Sequence, residues 1–189
     1  MRTVTYGAGC SLDGFIADPD DGVAWLRWSA DVQRISAEFW STIDTVVMGR
    51  RTYEVAAASG TRAYPGVRNV VFSQSLDPSL FPEVEMDLDA VGTISRLKQE
   101  EGKGIAVMGG GVLASSLLSA GLLDEIGVNI HPLLLGAGVP LLAGSLPRSQ
   151  LRLKRYEPLE GGCVYALYEV AAQLSKVLAR QGRSTNRDG

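Results

Sequence analysis

The chain has little of the residue types that most often advertise a function. In 189 residues it carries two cysteines and one histidine. Cys10 and Cys163 stand far apart in sequence, so they form neither a disulfide framework nor a CxxC redox pair and read as core thiols. His131 has no cysteine or carboxylate at ligand spacing around it, so no metal is expected. A Ser-His-Asp triad would have to use His131, yet the chain contains no G-x-S-x-G elbow. Metal-assisted hydrolysis and acyl transfer therefore rank low.

Charge of one sign is scarce too. A formal net charge of −3 gives no general attraction to nucleic acid or to an anionic membrane. No apolar run approaches the roughly 18 residues of a membrane span. A strand-like pattern starts at once in Met1-Arg2-Thr3-Val4-Thr5-Tyr6, so no signal peptide is expected and the cytoplasm is the expected compartment. Hydrophobic residues make up 46% of the chain, enough for the core of one domain.

Among the residues present, two stretches carry chemistry. Val46-Val47-Met48-Gly49-Arg50-Arg51-Thr52-Tyr53-Glu54 and Met108-Gly109-Gly110-Gly111-Val112-Leu113 are apolar runs that stop at glycine and resume with a helical pattern. A helix start offers unpaired backbone N–H groups and a positive dipole end to an anion. Glycine lets the backbone approach a phosphate with no Cβ in the way. Two such starts point to a ligand with more than one phosphate. Arg50 and Arg51 point to a third, because cations at a helix start are mildly unfavourable without an anion. This is the grammar of a dinucleotide-binding reductase.

Elsewhere, residues 2–10 read as a first strand and Asp18-Pro19-Asp20-Asp21-Gly22 as a surface loop. Ser29 caps a helix with Val32, Ile35, Phe39 and Ile43 at helical spacing. A buried strand over 44–48 precedes a short helix over 50–58 and a strand from Val67 to Phe72. A loop rich in proline and acid follows. Val91, Ile94 and Leu97 mark another helix, Ile105 to Met108 a strand, and 111–120 a helix closed by Gly121. Ile126, Val128 and Ile130 alternate with Glu125, Gly127 and Asn129, so one face of that strand is more polar. Strands near 150–157 and 163–170 make a hairpin through Gly161-Gly162. The order predicts an α/β fold: a mainly parallel central sheet flanked by helices, with an antiparallel C-terminal hairpin. Residues 1–170 form the domain. Residues 171–189 are a tail, either a short helix through Leu174, Val177 and Leu178 or a disordered extension.

Four segments, in this order, resemble the dihydrofolate reductase superfamily. They are Ser11-Leu12-Asp13-Gly14-Phe15-Ile16-Ala17, Met48 to Glu54, Met108 to Gly111, and Asp124-Glu125 leading to His131-Pro132-Leu133-Leu134-Leu135-Gly136-Ala137-Gly138. The match is nearest to the C-terminal reductase domain of bifunctional riboflavin biosynthesis deaminase/reductases. The H-x-E and P-C-x-x-C signature of the deaminase partner is absent, so a stand-alone form is implied. Ala24 to Asp31 lacks the proline-tryptophan pair of dihydrofolate reductases, which argues against folate.

The resemblance implies an NADPH-dependent reductase of a small planar nitrogen heterocycle, such as a ribosylaminopyrimidine. Gly49, Arg50, Arg51 and Thr52 would hold the pyrophosphate and the 2′-phosphate. Ser73 and Gln74 would line the adenosine ribose, Gly109, Gly110, Gly111 and Val112 the cofactor crossing, and Ile16 and Ala17 the nicotinamide. Asp31 is the candidate for substrate contact and catalysis, with helix capping as its alternative. Asp13 reads first as a turn residue and second as a substrate contact. Trp25 and Trp28 either stack on the heterocycle or belong to the core. An NAD-type site would place an acid about 20 residues after its glycine motif. Val67-Arg68-Asn69-Val70 holds none, which favours NADPH. The family also implies a homodimer, with Ile130 to Leu135 as the apolar segment available for it. A folate or pterin reductase, and a nucleotide-binding protein without turnover, are the rival readings.

Overall fold

A computed structural model describes residues 1–171 of the chain. The tail helix considered at Leu174, Val177 and Leu178 lies outside the described residues. The elements are β1 (Val4–Ser11), β2 (Phe15–Ala17), α1 (Ala30–Ser41), β3 (Ile43–Gly49), α2 (Arg50–Ala58), β4 (Arg68–Phe72), β5 (Glu85–Asp87) and α3 (Ala90–Leu97). There follow β6 (Gly104–Met108), α4 (Gly111–Ala120), β7 (Glu125–His131), β8 (Val139–Pro140), β9 (Leu151–Pro158) and β10 (Val164–Val170).

Eight strands form one sheet in the order β5-β4-β3-β6-β1-β7-β10-β9, and β2 pairs with β8 in a separate ribbon. From β5 through β7 the neighbours run parallel, while β7, β10 and β9 are antiparallel. The expected α/β architecture is present. Strands β3 and β6 are apolar on both faces, as a doubly covered parallel sheet requires. Val46, Met48 and Ala106 pack toward α1 and α2, with Tyr53, Phe39 and Trp40. Val47, Ile105 and Val107 pack toward α3 and α4, with Ile94, Leu97, Leu113 and Leu117.

The two short strand pairings escaped the sequence reading. β5 lies inside the acidic loop, and the β2–β8 ribbon is only two or three residues a side. Ile43 belongs to β3 and not to the first helix. The Thr42 N–H and hydroxyl both donate to Phe39 O, at 3.0 and 2.7 Å, and close the last turn of α1 before it.

The chain steps from β1 to β3, β4 and β5 in one direction and returns through β6 to β7. That reversal opens a crevice above the C-terminal ends of β1, β3 and β6, where ligands of open α/β sheets bind. The opposite edge is locked by buried cations. Arg2 meets Asp44, and Lys98 meets Asp124, which also accepts the Val4 N–H at 2.8 Å.

Leu117 of α4 is fully buried in the larger core. Leu117→Ala should cost about 2–5 kcal/mol, the transfer term plus the cavity left behind. Urea unfolding checks this as a lower midpoint at an unchanged slope.

Candidate functional site

Three adjoining cavities run along the C-terminal edge of the sheet. The first, of about 740 Å³, lies between the starts of α2 and α4 and is lined by Gly49, Arg50, Arg51, Thr52, Gly110, Gly111, Val112 and Phe72 among others. The middle cavity, of about 350 Å³, shares Arg51, Thr52, Gly110 and Val139 with it and adds Ile16, Ala17, Asp21 and Gly109. The third, also about 350 Å³, shares Gly7, Ala8, Gly9, Tyr64 and Met108 with the middle one and lies beneath α1. Together they make one cleft.

The helix starts in the first cavity are built differently from the others. Ser29 caps α1 by accepting from the Val32 N–H, and Asp89 caps α3 by accepting from the Gly92 N–H. By contrast, α2 begins after Gly49 and α4 after Gly110, and neither has a side-chain cap. Unpaired donors and two positive dipole ends therefore converge on one space. A Cβ at Gly111 would lie 2.4 Å from Pro140 O, and one at Gly109 2.7 Å from Thr52 Cγ2. The turn between β6 and α4 is thus a cradle that no side chain can occupy, and it fits a dinucleotide crossing.

The arginines are held by carboxylates. Arg51 forms a two-pronged pair with Asp21 at 2.7 Å, joining α2 to the 18–22 loop across the middle cavity. Arg50 pairs with Glu54 one helical turn on, at 2.9 Å. Asp18 Oδ1 orders the loop by accepting from the Asp20 and Gly22 N–H groups at 3.0 and 2.7 Å.

The third cavity is aromatic. Trp28, Phe39, Trp40, Tyr64 and Tyr165 surround it, and Trp40 stacks on Tyr64 with 4.9 Å between ring centres. Its floor is the sheet. Thr5, Gly7 and Gly9 of β1 stand opposite Glu125, Gly127 and Asn129 of β7, and Asn129 stands opposite Tyr165 of β10. Alternation along the strands puts these residues on one face. Three of them being glycine, the face is bare, and α1 roofs a space. Burial pushes the Tyr64 and Tyr165 phenols up, so both remain hydroxyl donors at neutral pH.

Of the residues picked out in the sequence, Ile16, Ala17, Gly49 to Thr52 and Gly109 to Val112 lie in the cleft. Five others do not line it. Asp31 Oδ2 accepts from the Glu160 N–H at 3.1 Å, outside the aromatic cavity, so this carboxylate steadies the turn before β10. Trp25 packs edge-on against His131, with its indole N–H donated to Gly22 O at 3.2 Å; of Trp25 and Trp28, the second faces the cavity. Ser73 Oγ accepts from the Ser75 and Leu76 N–H groups at 3.2 and 3.0 Å, which makes it a turn residue, and Gln74 beside it is exposed. Asp13 accepts from Ser11 Oγ, Leu135 N–H and Gly136 N–H at 2.6, 3.1 and 2.7 Å. It clamps the loop that carries β8, a wall of the cleft. Phe39, Trp40, Tyr64, Met108 and Tyr165 were not anticipated as lining residues. The alternation of Gly7 and Gly9, and of Gly127 and Asn129, was the available signal. Among the described residues no cluster of histidine, cysteine, aspartate and glutamate could hold a metal, and no helix is long and apolar enough to cross a membrane.

Sheet order, crevice and uncapped helix starts define an α/β domain of dihydrofolate-reductase-like build. The chain belongs to the RibD C-terminal domain family, whose model matches residues 2–165. It is 34% identical over 156 residues to the uncharacterized protein YwjB of Bacillus subtilis, covering 81% of this chain and 89% of that one. A solved structure from Shewanella sp. PV-4, provisionally named for riboflavin biosynthesis, superposes with a TM-score of 0.77 at 24% identity, covering 90% of this chain and all (100%) of that one. A diaminohydroxyphosphoribosylaminopyrimidine deaminase/5-amino-6-(5-phosphoribosylamino)uracil reductase from Thermotoga maritima gives 0.66 at 16% identity, over 90% of this chain and 57% of its own.

The Asp13 clamp yields a prediction. Hydrogen bonds from Ser11, and then from Gly136 and Leu135, hold its carboxyl below the ordinary range. A depressed pKa contributes order that is complete above the unfolded value and is lost as pH falls through the folded one. Asp13→Ala should speed amide exchange at Leu135 and Gly136 at neutral pH while the core amides stay protected. In the wild type, protection at the same two amides, corrected for intrinsic rates, should fall only below the usual carboxylate range. Unchanged exchange in the variant would show that the loop is held by other contacts.

Proposed function

We propose that the chain is an NADPH-dependent reductase of a small planar nitrogen heterocycle. The observation that carries this is the pair of uncapped helix starts facing one cavity, continuous with an aromatic chamber. Gly49 to Thr52 and Gly110 to Val112 hold the phosphates, Ile16 and Ala17 flank the nicotinamide, and the aromatic cavity takes the substrate. When bound, the cofactor supplies a hydride, two electrons, to a C=N or C=O carbon, and a proton from water or a phenol completes the reduction. The residues themselves orient the two rings and exclude water from between them. Family membership supports the reading, and the name of the Thermotoga maritima protein supplies a reaction of this class, on a phosphoribosylaminouracil. A neutral His131 is part of the frame: burial, and then the Arg27 charge, lowers its pKa.

Arg51, with Arg50 beside it, selects the 2′-phosphate. An exposed arginine–aspartate pair is worth only about 0–1 kcal/mol, so a phosphate carrying close to two charges displaces Asp21. The fork then makes charge-assisted hydrogen bonds worth roughly 1.5–3 kcal/mol each. NADPH should bind about 10–1000-fold more tightly than NADH. Arg51→Ala should lose most of that preference and leave NADH binding unchanged. Paired calorimetric titrations read both; equal wild-type affinities would refute the assignment. Tight NADPH binding without oxidation across a pyrimidine and pterin panel would favour a binding protein without turnover.

A homodimer is the second part of the proposal. The segment Ile130 to Leu135 offers little surface, since His131 is buried and only Pro132 and Leu134 are exposed. A better surface lies at the sheet edge. Leu151, Leu153 and Tyr156 stand opposite Val170, Tyr168 and Ala166, so the bulge in β9 keeps all three on one face, and all three are exposed. Two-fold pairing is the commonest way to cover such a face. Sedimentation should report a dimer, and Leu153→Glu should give a monomer; a wild-type monomer at micromolar concentration would overturn this.

A further inference from the structure

The aromatic cavity carries information about its occupant that the cofactor half does not. Among the described residues no lysine or arginine lines it. Two arginines on α1 and β9 are spent on carboxylates: Arg34 meets Glu38 and Glu157, and Arg155 meets the same two acids at 2.9 and 2.7 Å. Lys154 is paired with Glu125 at 2.5 Å. Arg155 also lies over the Tyr165 ring, 5.6 Å from its centre, and Arg27 donates to Gly161 O at 3.2 Å. A phosphate group there would lose hydration without gaining a cationic partner from the lining residues.

The polar groups inside are few. Thr5 spends its hydroxyl hydrogen on Glu125 Oε2 at 3.0 Å. Asn129 approaches His131 Nε2 at 3.2 Å through one end of its amide, and the buried other end has no partner among the described residues. His131 decides which end is free. Its Nδ1 accepts from the Arg27 N–H at 3.4 Å, and Cys163 Sγ lies 3.5 Å away. With Nδ1 accepting, the neutral ring carries its hydrogen on Nε2, which requires an acceptor. Turning the Asn129 oxygen toward Nε2 satisfies the ring and leaves the amide NH2 group for a ligand.

We propose that this cavity selects an uncharged, flat, unphosphorylated heterocycle, which stacks among the aromatic side chains and presents a carbonyl or ring-nitrogen acceptor to the Asn129 amide. The proposal rests on the reductase reading of the cleft and narrows its substrate class. It departs from the phosphoribosyl substrate named for the Thermotoga maritima protein. Asn129 is the specificity-determining residue, and His131 positions it.

The test uses the full chain and the tryptophan fluorescence of Trp28 and Trp40, which line the cavity, so binding is read without turnover. The probes are lumazine, 5-amino-6-ribosylaminouracil and the 5′-phosphate of the latter, each titrated with and without NADPH. Both neutral rings should quench, and the phosphate should weaken binding by roughly tenfold or more. Asn129→Asp keeps an oxygen toward His131 and removes the donor; it should weaken both neutral rings by about tenfold or more while NADPH titrates as in the wild type. Asn129→Leu should do the same, and if it fails to fold, the aspartate variant decides. Equal or tighter binding of the phosphorylated probe, absence of quenching by both neutral rings, or an unchanged Asn129→Asp variant would each overturn the inference. None of these outcomes touches NADPH binding, whose absence would instead overturn the reductase reading.

Discussion

Close backbone approach at the β6–α4 turn is the constraint on which the cleft depends. At Gly111 a Cβ would sit 2.4 Å from Pro140 O, and Gly110, with φ of 72°, is in the left-handed region that side chains rarely adopt. Any larger residue at Gly111 would push β8 away from α4. Ala143 N–H, which donates to Ser115 Oγ at 2.9 Å, would follow it. β8 in turn pairs with β2, which carries Ile16 and Ala17. The wall of the middle cavity and the start of α4 are therefore set by one contact. The Asp13 clamp works on the same loop from its other end.

Electrostatics divides the cleft into two unlike halves. Around α2 and α4 the donors are uncapped N–H groups and arginines in exposed pairs that a stronger anion can take over. Around α1 the arginines are shared among several acids, Arg34 and Arg155 bridging Glu38 and Glu157 so that α1 is tied to β9. A guanidinium held by two carboxylates has little left for a ligand, whereas among the described residues Arg51 has one carboxylate, Asp21, to release. The first half suits a polyanion and the second a neutral ring. That asymmetry is what a reductase needs if its cofactor is charged and its substrate is not.

Legibility in the sequence follows the same division. Gly49 to Thr52 and Gly109 to Val112 could be found because the strand, the turn and the helix start are adjacent in the chain, and local grammar marks all three. The order of strands and helices was readable for the same reason. Trp40, Tyr64, Asn129 and Tyr165 meet only through the pairing of β1, β7 and β10 and the packing of α1 on them, and no spacing in the chain encodes that meeting. Asp31 shows the converse. An acid in the first turn of a helix looks like a substrate contact in sequence, and only the position of the Glu160 N–H, 129 residues away, shows where its hydrogen bond goes.

The bare sheet face explains how such a cavity exists in a well-packed α/β domain. Gly7, Gly9 and Gly127 are in extended backbone that any residue adopts, so no dihedral angle demands glycine there. What a side chain would meet does. A Cβ at Gly9 would stand 2.7 Å from Leu26 Cδ2, and one at Gly127 3.3 Å from the Tyr165 hydroxyl, while Gly7 has Phe39 at an ordinary 3.9 Å. Gly9 and Gly127 therefore let Leu26 and Tyr165 close down on the sheet, and Gly7 keeps the space between them open. A branched residue at Gly7 would project into the chamber without disturbing the fold around it. The volume of the aromatic chamber thus hangs on a position that the core does not constrain, whereas the β6–α4 turn hangs on Gly111, where the backbone itself would clash, and on Gly109 and Gly110, whose φ lies in the left-handed region. In this architecture the shape of the aromatic chamber can change by a single substitution, and the glycine turn between β6 and α4 cannot.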